Sequence, residues 1–145
     1  MRIFNIRIFC LFLFFSIQSI SHAAAPREDL LNKFVFDIDY YLARNSDLAI
    51  HFQGNKSQAT EHWVSNGFYE GRRGSPFFSI TNYMFYNPDL ANAFGPFHEL
   101  YLNHFLKNGL AEGRTSSVFY SGRFYLSTYP DLQAAFGNDY RRAFE

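Results

Sequence analysis

The sequence predicts an all-α protein in which tandem 42-residue repeats of short helices pack as a small helical array. Three observations lead to this prediction. When the chain is written in rows of 42 residues, the first two rows share fifteen identical positions. Helix-capping and helix-breaking residues recur at the same places in these rows. Apolar residues recur between them at helical spacing. Because such short helices are not stable alone, we expect them to pack on one another.

The first 23 residues have the pattern of a secretory signal peptide. Arg2 and Arg7 accompany an apolar run over residues 8–17, and small residues follow the run. The run is shorter than the ~20 apolar residues of a membrane-spanning helix, so an uncleaved anchor is the less favoured alternative. Ser21 and Ala23 place the cleavage after Ala23, and residues 24–34 then lead into the repeats. We therefore expect export to the periplasm or the extracellular space, with no stable membrane insertion after cleavage.

Removal of this segment changes both the charge and the cysteine content. All thirteen acidic residues follow the cleavage point, whereas Arg2 and Arg7 precede it and leave a net charge of −2. So weak and mixed a charge argues against binding to nucleic acid or to an acidic membrane surface. The single cysteine, Cys10, also lies in the signal segment. The exported part must therefore be stabilised by its apolar core and not by disulfides.

The rows align without a gap and define three repeats. Repeat 1 covers 35–76, repeat 2 covers 77–118, and repeat 3 covers 119–145, which is 27 of the 42 positions. Repeat 3 is expected to act either as a terminal cap or as a truncated copy. We expect the shared columns to build the fold. These columns hold Tyr41, Tyr83 and Tyr125; Asp47, Asp89 and Asp131; Leu48, Leu90 and Leu132; Phe52, Phe94 and Phe136; and, in the two full repeats only, Gly67 with Gly109 and Arg72 with Arg114.

Each full repeat is expected to contain three short helices, of which the first two have clear boundaries. The first helix of repeat 1 is expected over 37–44, and it has to end before the Asn-Pro or Tyr-Pro step of the later repeats. Asn87 and Asn45 are expected to cap the second helix, with Pro88 at its first helical position. The N-caps expected for the first helix are Asp37, Ser79 and Ser121 in the three repeats.

The third helix is expected over about 57–66 in repeat 1 and 97–108 in repeat 2. Its apolar stripe includes Trp63 in the first repeat and Phe105 in the second. Gly67 and Gly109 follow directly, and we expect them to end the helices as left-handed C-caps.

Two segments of repeat 2 carry a resemblance to a known family. Tyr83-Met84-x-x-Asn87-Pro88-Asp89-Leu90 is followed by His104-Phe105-x-x-x-Gly109-x-x-Glu112-Gly113-Arg114. Together they resemble the repeat Y-L-x-x-N-P-D-L … H-F-L-x-x-G-x-x-E-G-R of bacterial exported and surface proteins, with departures at Ser46 and Tyr129. The resemblance covers 35–145. It implies a bacterial exported protein, and it brings no established activity.

Repeated histidines and glutamates suggest one alternative function, a metal-dependent or hydrolytic enzyme. His62 pairs with Glu70, and His104 with Glu112, at a spacing of eight residues. Two ligands in each repeat fall short of the three or four that zinc takes from a protein. Residues 24–145 also contain no cysteine and no G-x-S-x-G nucleophile motif. We therefore expect packed histidines, no enzymatic activity and no cofactor.

The Glu-Gly-Arg segments have two interpretations. The one we favour places Gly71 and Gly113 at positive φ and lets Arg72 and Arg114 bind helix carbonyls or pair with an acid. The alternative is an anion clamp.

A few aromatic residues are not explained by the shared columns. Phe85 and Tyr86 occupy columns that hold Ala43-Arg44 and Ser127-Thr128 in the other repeats, so we expect them to face solvent. Exposed aromatic rings beside polar groups suit a sugar or a protein partner, although packing between repeats is the alternative. The candidate binding residues are Phe85, Tyr86, Tyr69, Phe97 and Tyr129.

We therefore expect an exported, non-enzymatic interaction module that binds a protein or a cell-envelope glycan through surface aromatics. A purely structural repeat fragment, with self-association through the open third repeat, is the other alternative.

Overall fold

A computed structural model describes residues 23–145. The signal peptide expected over 1–23 lies outside the described residues apart from Ala23. Short helices make up most of this part of the chain. In chain order the elements are α1 (Arg27–Leu30), α2 (Ile38–Arg44), α3 (Ser46–Phe52), α4 (Lys56–His62), a π-helical turn (Trp63–Gly67), α5 (Ile80–Tyr86), a 3₁₀ turn (Pro88–Leu90), α6 (Ala91–Phe94), α7 (His98–His104), a second π-helical turn (Phe105–Gly109), β1 (Thr115–Ser117), β2 (Tyr120–Ser121), α8 (Gly122–Thr128), α9 (Pro130–Phe136) and α10 (Tyr140–Phe144).

The all-α expectation is confirmed only in its coarse form, because the described residues also contain two short strands. β1 and β2 form an antiparallel pair at the junction of repeats 2 and 3, with Thr115 opposite Ser121. The Ser116 hydroxyl donates to the carbonyl of Phe77, the first residue of repeat 2, and the Ser117 hydroxyl donates to the carbonyl of Pro76, the last residue of repeat 1. These bonds hold the segment extended beside the junction of repeats 1 and 2. The chain is therefore mostly helical with one small sheet.

The N-caps expected for the first helix of each repeat are confirmed. Asp37 Oδ1 accepts from the Tyr40 N–H at 2.8 Å. The hydroxyl groups of Ser79 and Ser121 accept from the third residue after them at 3.4 and 3.5 Å. Each side chain satisfies a backbone donor that the first turn of the helix leaves open.

The expected capping role of Asn45 and Asn87 is wrong. Both residues precede a helical turn, and repeat 2 continues with the 3₁₀ turn Pro88–Leu90, but neither side chain caps it. The amide groups instead donate backwards, at 2.8 Å, to the carbonyls of Tyr41 and Tyr83 respectively. Those carbonyls belong to the last turn of the preceding helix, and each also accepts a hydrogen bond from the backbone N–H of the same asparagine. Each asparagine therefore joins two consecutive helices.

The expectation of left-handed C-caps at Gly67 and Gly109 is also wrong. Both glycines lie in π-helical turns, and neither has a positive φ. A Cβ atom built on Gly67 would lie 2.1 Å from the hydroxyl oxygen of Tyr41. Glycine is required there by the close approach of a side chain, and not by its own backbone angle. Positive φ occurs instead at Gly71 (73°) and Gly113 (64°), as expected for the Glu-Gly-Arg segments.

The main hydrophobic core is rich in aromatic residues and is formed by the lead-in segment and the first two repeats. Trp63 stacks on Phe36 with ring centroids 5.2 Å apart, and Phe105 stacks on Phe78 at 4.4 Å. The buried cluster extends from Ala25 to Leu110 and has no member in repeat 3 among the described residues.

The lead-in segment closes the N-terminal end of this core. Leu30 is buried, and its carbonyl accepts a 2.8 Å hydrogen bond from Trp63 Nε1. At the other end Leu126 is buried in repeat 3, whereas Leu132 is only half-buried. No helix among residues 23–145 is both long and apolar enough to cross a bilayer.

Candidate functional site

The repeated histidines are engaged by tyrosine hydroxyl groups. Tyr41 Oη lies 3.0 Å from His62 Nδ1, and Tyr83 Oη lies 2.8 Å from His104 Nδ1. Burial raises the pKa of Tyr83 well above its usual value, so its hydroxyl stays protonated. Burial lowers the pKa of His104 and favours its neutral ring, whose tautomer sets which of the two groups donates. The pair connects two helices.

In each Glu-Gly-Arg segment the arginine forms ion pairs with two carboxylates, an arrangement that we call the ion-pair clamp. Arg72 pairs with Glu70 at 2.6 Å and with Asp47 at 2.9 Å, and it donates to Asn45 Oδ1 at 3.0 Å. The hydrogen bonds that Arg72 donates to Asp47 and Glu70 raise the pKa of Arg72 above its usual value. The favoured interpretation, pairing with an acid, is thus observed.

The same clamp is present in repeat 2. Arg114 pairs with Glu112 and, at 2.8 Å, with Asp89, and it donates to Asn87 Oδ1 at 3.2 Å. Because two carboxylates already engage this guanidinium group, an incoming anion would have to compete with them.

The candidate metal ligands have separate partners. His62 binds a tyrosine, while Glu70 belongs to the Arg72 clamp. Among residues 23–145, no group of three or more histidine, cysteine, aspartate and glutamate side chains has a metal-binding arrangement. The enzyme alternative therefore gains no clustered set of ligands from the described part of the chain.

All five candidate binding aromatics are exposed, but they do not form one surface. Tyr69 Oη accepts a hydrogen bond from the Ala25 N–H of the lead-in segment at 3.0 Å. Tyr129 packs on Tyr125 with ring centroids 5.1 Å apart. Phe85 and Tyr86 contact each other edge to face at 5.2 Å. Phe97 makes no contribution to the grooves described next.

Tyr86 lies on a groove at the junction of repeats 2 and 3. This groove, which we call the aromatic groove, has a volume of about 360 Å³. Exposed apolar side chains alternate around it with hydroxyl groups, and Phe124 is 70% exposed. The groove is lined by Tyr86, Thr115, Ser117, Val118, Phe119, Tyr120, Ser121 and Phe124.

A second depression, the polar cleft, adjoins the aromatic groove and shares Tyr86 and Thr115 with it. Its volume is about 380 Å³. Charged groups replace the apolar side chains here. The lining residues are Tyr86, Asn87, Asp89, Gly113, Arg114, Thr115 and Arg123.

Local folding explains why these residues meet. α5 ends at Tyr86, and the side-chain amide of the next residue, Asn87, donates to the Thr115 carbonyl at 3.0 Å. This bond fixes β1 beside the end of α5. β2 then leads directly into α8, which carries Arg123 and Phe124 to the same side.

Sequence reasoning missed Phe119, Phe124 and Arg123 as parts of a site. A usable signal was present, because the positions that correspond to Phe124 hold Tyr40 in repeat 1 and Asn82 in repeat 2. A phenylalanine at this position is therefore peculiar to repeat 3. The β1–β2 pairing that brings these side chains towards Tyr86 gave no such signal.

Comparison with known proteins identifies no related protein. No protein-family model, curated protein or solved structure matches this chain.

Proposed function

We propose that this chain is an exported, non-enzymatic interaction module, built from tandem 42-residue helical units, that binds a cell-envelope glycan in the aromatic groove. The observation that carries the proposal is the gathering of exposed rings and hydroxyl groups at one junction. Tyr86, Phe119 and Phe124 border a groove that also contains serine and threonine side chains. Aromatic faces cover the apolar face of a sugar ring, and hydroxyl groups exchange hydrogen bonds with its edges.

The non-enzymatic part of the proposal is supported by the partners of the repeated polar residues. The two histidines connect helices, and the two arginines hold acidic side chains. These roles account for the residues that the enzyme alternative would use. If that alternative held, a chelator would lower the melting temperature or purified protein would contain metal, and we expect neither.

A protein partner is the second candidate, and the extent of apolar exposure favours it. Phe85 is 76% exposed and contacts Tyr86, which lines the aromatic groove together with the exposed Val118 and Phe119. Apolar patches of this kind often mark protein interfaces.

The test is binding of the exported chain to purified cell-envelope polysaccharide. We expect Tyr86→Ala and Phe124→Ala each to weaken binding by about fivefold, because stacking on an aromatic ring contributes ~1 kcal/mol. Tyr129→Ala is the matched control, since Tyr129 is exposed to a similar extent (48% against 42% for Tyr86) and lies outside both depressions.

Unchanged polysaccharide binding in the Tyr86→Ala, Phe124→Ala double variant would overturn the proposed site. Binding of an envelope protein, but of no polysaccharide, through the same two residues would select the second candidate.

A further inference from the structure

We infer that the polar cleft recognises the carboxylate of an acidic sugar and that Arg123 is the side chain that binds it. This inference rests on the proposed function, because it assigns a ligand class to the surface that Tyr86 shares between the two depressions. The sugar ring would lie in the aromatic groove, and its carboxylate would enter the cleft.

Arg123 is positioned but not neutralised. Its Nε atom donates to the Glu112 carbonyl at 3.0 Å, which holds the guanidinium group at the cleft wall. Its two terminal nitrogens make no hydrogen bond or ion pair with any of residues 23–145. A guanidinium group presents these nitrogens as a planar fork that matches the two oxygens of a carboxylate.

The acids near the cleft are already engaged. Asp89 and Glu112 both pair with Arg114, so neither carboxylate is paired with Arg123. The two positive charges of Arg114 and Arg123 balance the two negative charges of Asp89 and Glu112. The cleft therefore offers little long-range attraction to an anion. Recognition would depend on short-range geometry at Arg123, with Tyr86 holding the ligand in place.

The neighbouring groups favour a sugar acid over a simple anion. Tyr86 borders both depressions and is partly exposed, and Thr115 also faces both. A ring with one carboxylate and several hydroxyl groups can use the aromatic face, the threonine and the guanidinium group at once. A small inorganic anion would use the guanidinium group alone.

The repeats supply their own comparison. The column of Arg123 holds Asp39 in repeat 1 and Thr81 in repeat 2. An arginine at this position is therefore peculiar to repeat 3. Repeat 2 folds with a threonine at the corresponding position. Arg123→Thr removes the cation while keeping a residue that the same position already has.

The test measures binding of oligouronates and of their methyl esters, which keep the sugar rings but lack the charge. Oligogalacturonate, oligomannuronate and oligoglucuronate would be the probes. We expect the full exported chain to bind at least one free acid about tenfold more tightly than its methyl ester. Arg123→Thr should abolish that difference and leave binding of the ester unchanged. Arg44→Thr, at an exposed arginine outside both depressions, should leave both affinities unchanged.

The outcomes separate this inference from the proposed function. Equal affinity for acids and esters in the unaltered chain, or a preference that survives Arg123→Thr, would overturn the inference. If Tyr86→Ala still weakens the binding of neutral polysaccharide in that case, the proposed function stands. Thermal unfolding of Arg123→Thr with an unchanged midpoint shows that a lost preference comes from the cleft. If the midpoint falls, the Arg123→Lys variant is measured instead, because lysine keeps the positive charge but lacks the planar pair of N–H donors. An unchanged preference of this variant for the free acid would overturn bidentate recognition.

Discussion

Gly67 and Gly109 lie where the hydroxyl groups of Tyr41 and Tyr83 come closest to the backbone. A Cβ atom at either glycine would lie 2.1 Å from a hydroxyl oxygen that also hydrogen-bonds a histidine. The tyrosine rings are completely buried, so they have no free space into which to move. Each glycine therefore permits the tyrosine–histidine pair of its own repeat.

We accordingly expect Gly67→Ala to lower the free energy of unfolding by about 3 kcal/mol, through overpacking and loss of the Tyr41–His62 bond. Chemical denaturation of the protein measures this change. Gly54→Ala is the control, because Gly54 has a positive φ of 81° but nothing within 4 Å of an added Cβ. Its cost should be only about 1 kcal/mol of backbone strain. Equal losses in the two variants would contradict the steric explanation.

Between elements, the tyrosine–histidine bond connects α5 to the end of α7 in repeat 2. Burial lowers the pKa of His104, while the nearby Glu112 and Asp89 raise it and Arg114 lowers it. Burial also lowers the pKa of His98, which begins α7. At these two sites the folded chain resists protonation more strongly than the unfolded chain does.

This difference predicts a loss of stability in mild acid. Above the ordinary histidine pKa of 6.5 both states are neutral, and these histidines do not change the stability. As the pH falls below that value, the unfolded chain takes up protons first, so the folded state becomes less favoured. We expect the melting temperature to fall between about pH 7 and about pH 5.

The His98→Gln, His104→Gln double variant should have a flatter pH profile over this range, even if it is less stable at neutral pH. His51→Gln, at an exposed histidine of α3, should keep the slope of the unaltered chain. A double variant with an undiminished slope would assign the pH dependence to other groups.

For the molecule as a whole, the core is well covered at its N-terminal end, by the lead-in segment, and less well covered at its C-terminal end, by repeat 3. The lead-in segment contributes the buried side chains of Leu30 and Phe34 to the main cluster. The described side chains of repeat 3 contribute none of that cluster, and this repeat packs through its own buried Leu126 and the small sheet.

Deletion from either end should therefore have unequal effects. A 24–118 chain should retain cooperative unfolding at a lower melting temperature, because it keeps the main cluster. A 35–145 chain loses two large core side chains at about 2–5 kcal/mol each and the partner of Trp63 Nε1, which approaches the whole stability of a small domain. We expect it to be unfolded. Circular dichroism with thermal melting distinguishes the two, and an unfolded 24–118 chain would show that repeat 3 is an essential cap.

Part of this structure could be predicted from the sequence because it depends on local chemistry. Asp37, Ser79 and Ser121 cap helices within four residues of themselves, and Gly71 and Gly113 take positive φ in their own turns. The recurrent columns also indicated core residues in the first two repeats, such as Tyr41 and Tyr83, but their counterpart Tyr125 lies outside the main cluster.

The errors arose where a residue serves a distant neighbour. Asn87 sits where a cap is expected, but its amide binds the Tyr83 and Thr115 carbonyls. Gly67 ends a helical stretch as a C-cap would, but it makes room for a side chain 26 residues earlier in the chain. A local pattern cannot distinguish these roles, because it contains only the residue and not its partner.

The sequence by itself determined that short capped helices with recurrent aromatic residues would fold together, and that Phe85 and Tyr86 would face outwards. Only the tertiary structure decided what stands beside them. The β1–β2 pairing places Phe119, Phe124 and Arg123 near Tyr86, and among residues 23–145 no carboxylate pairs with the Arg123 guanidinium group. Caps and turns are set by contacts within a few residues. A binding surface is set by the packing of segments far apart in the chain, and that packing depends on the whole core.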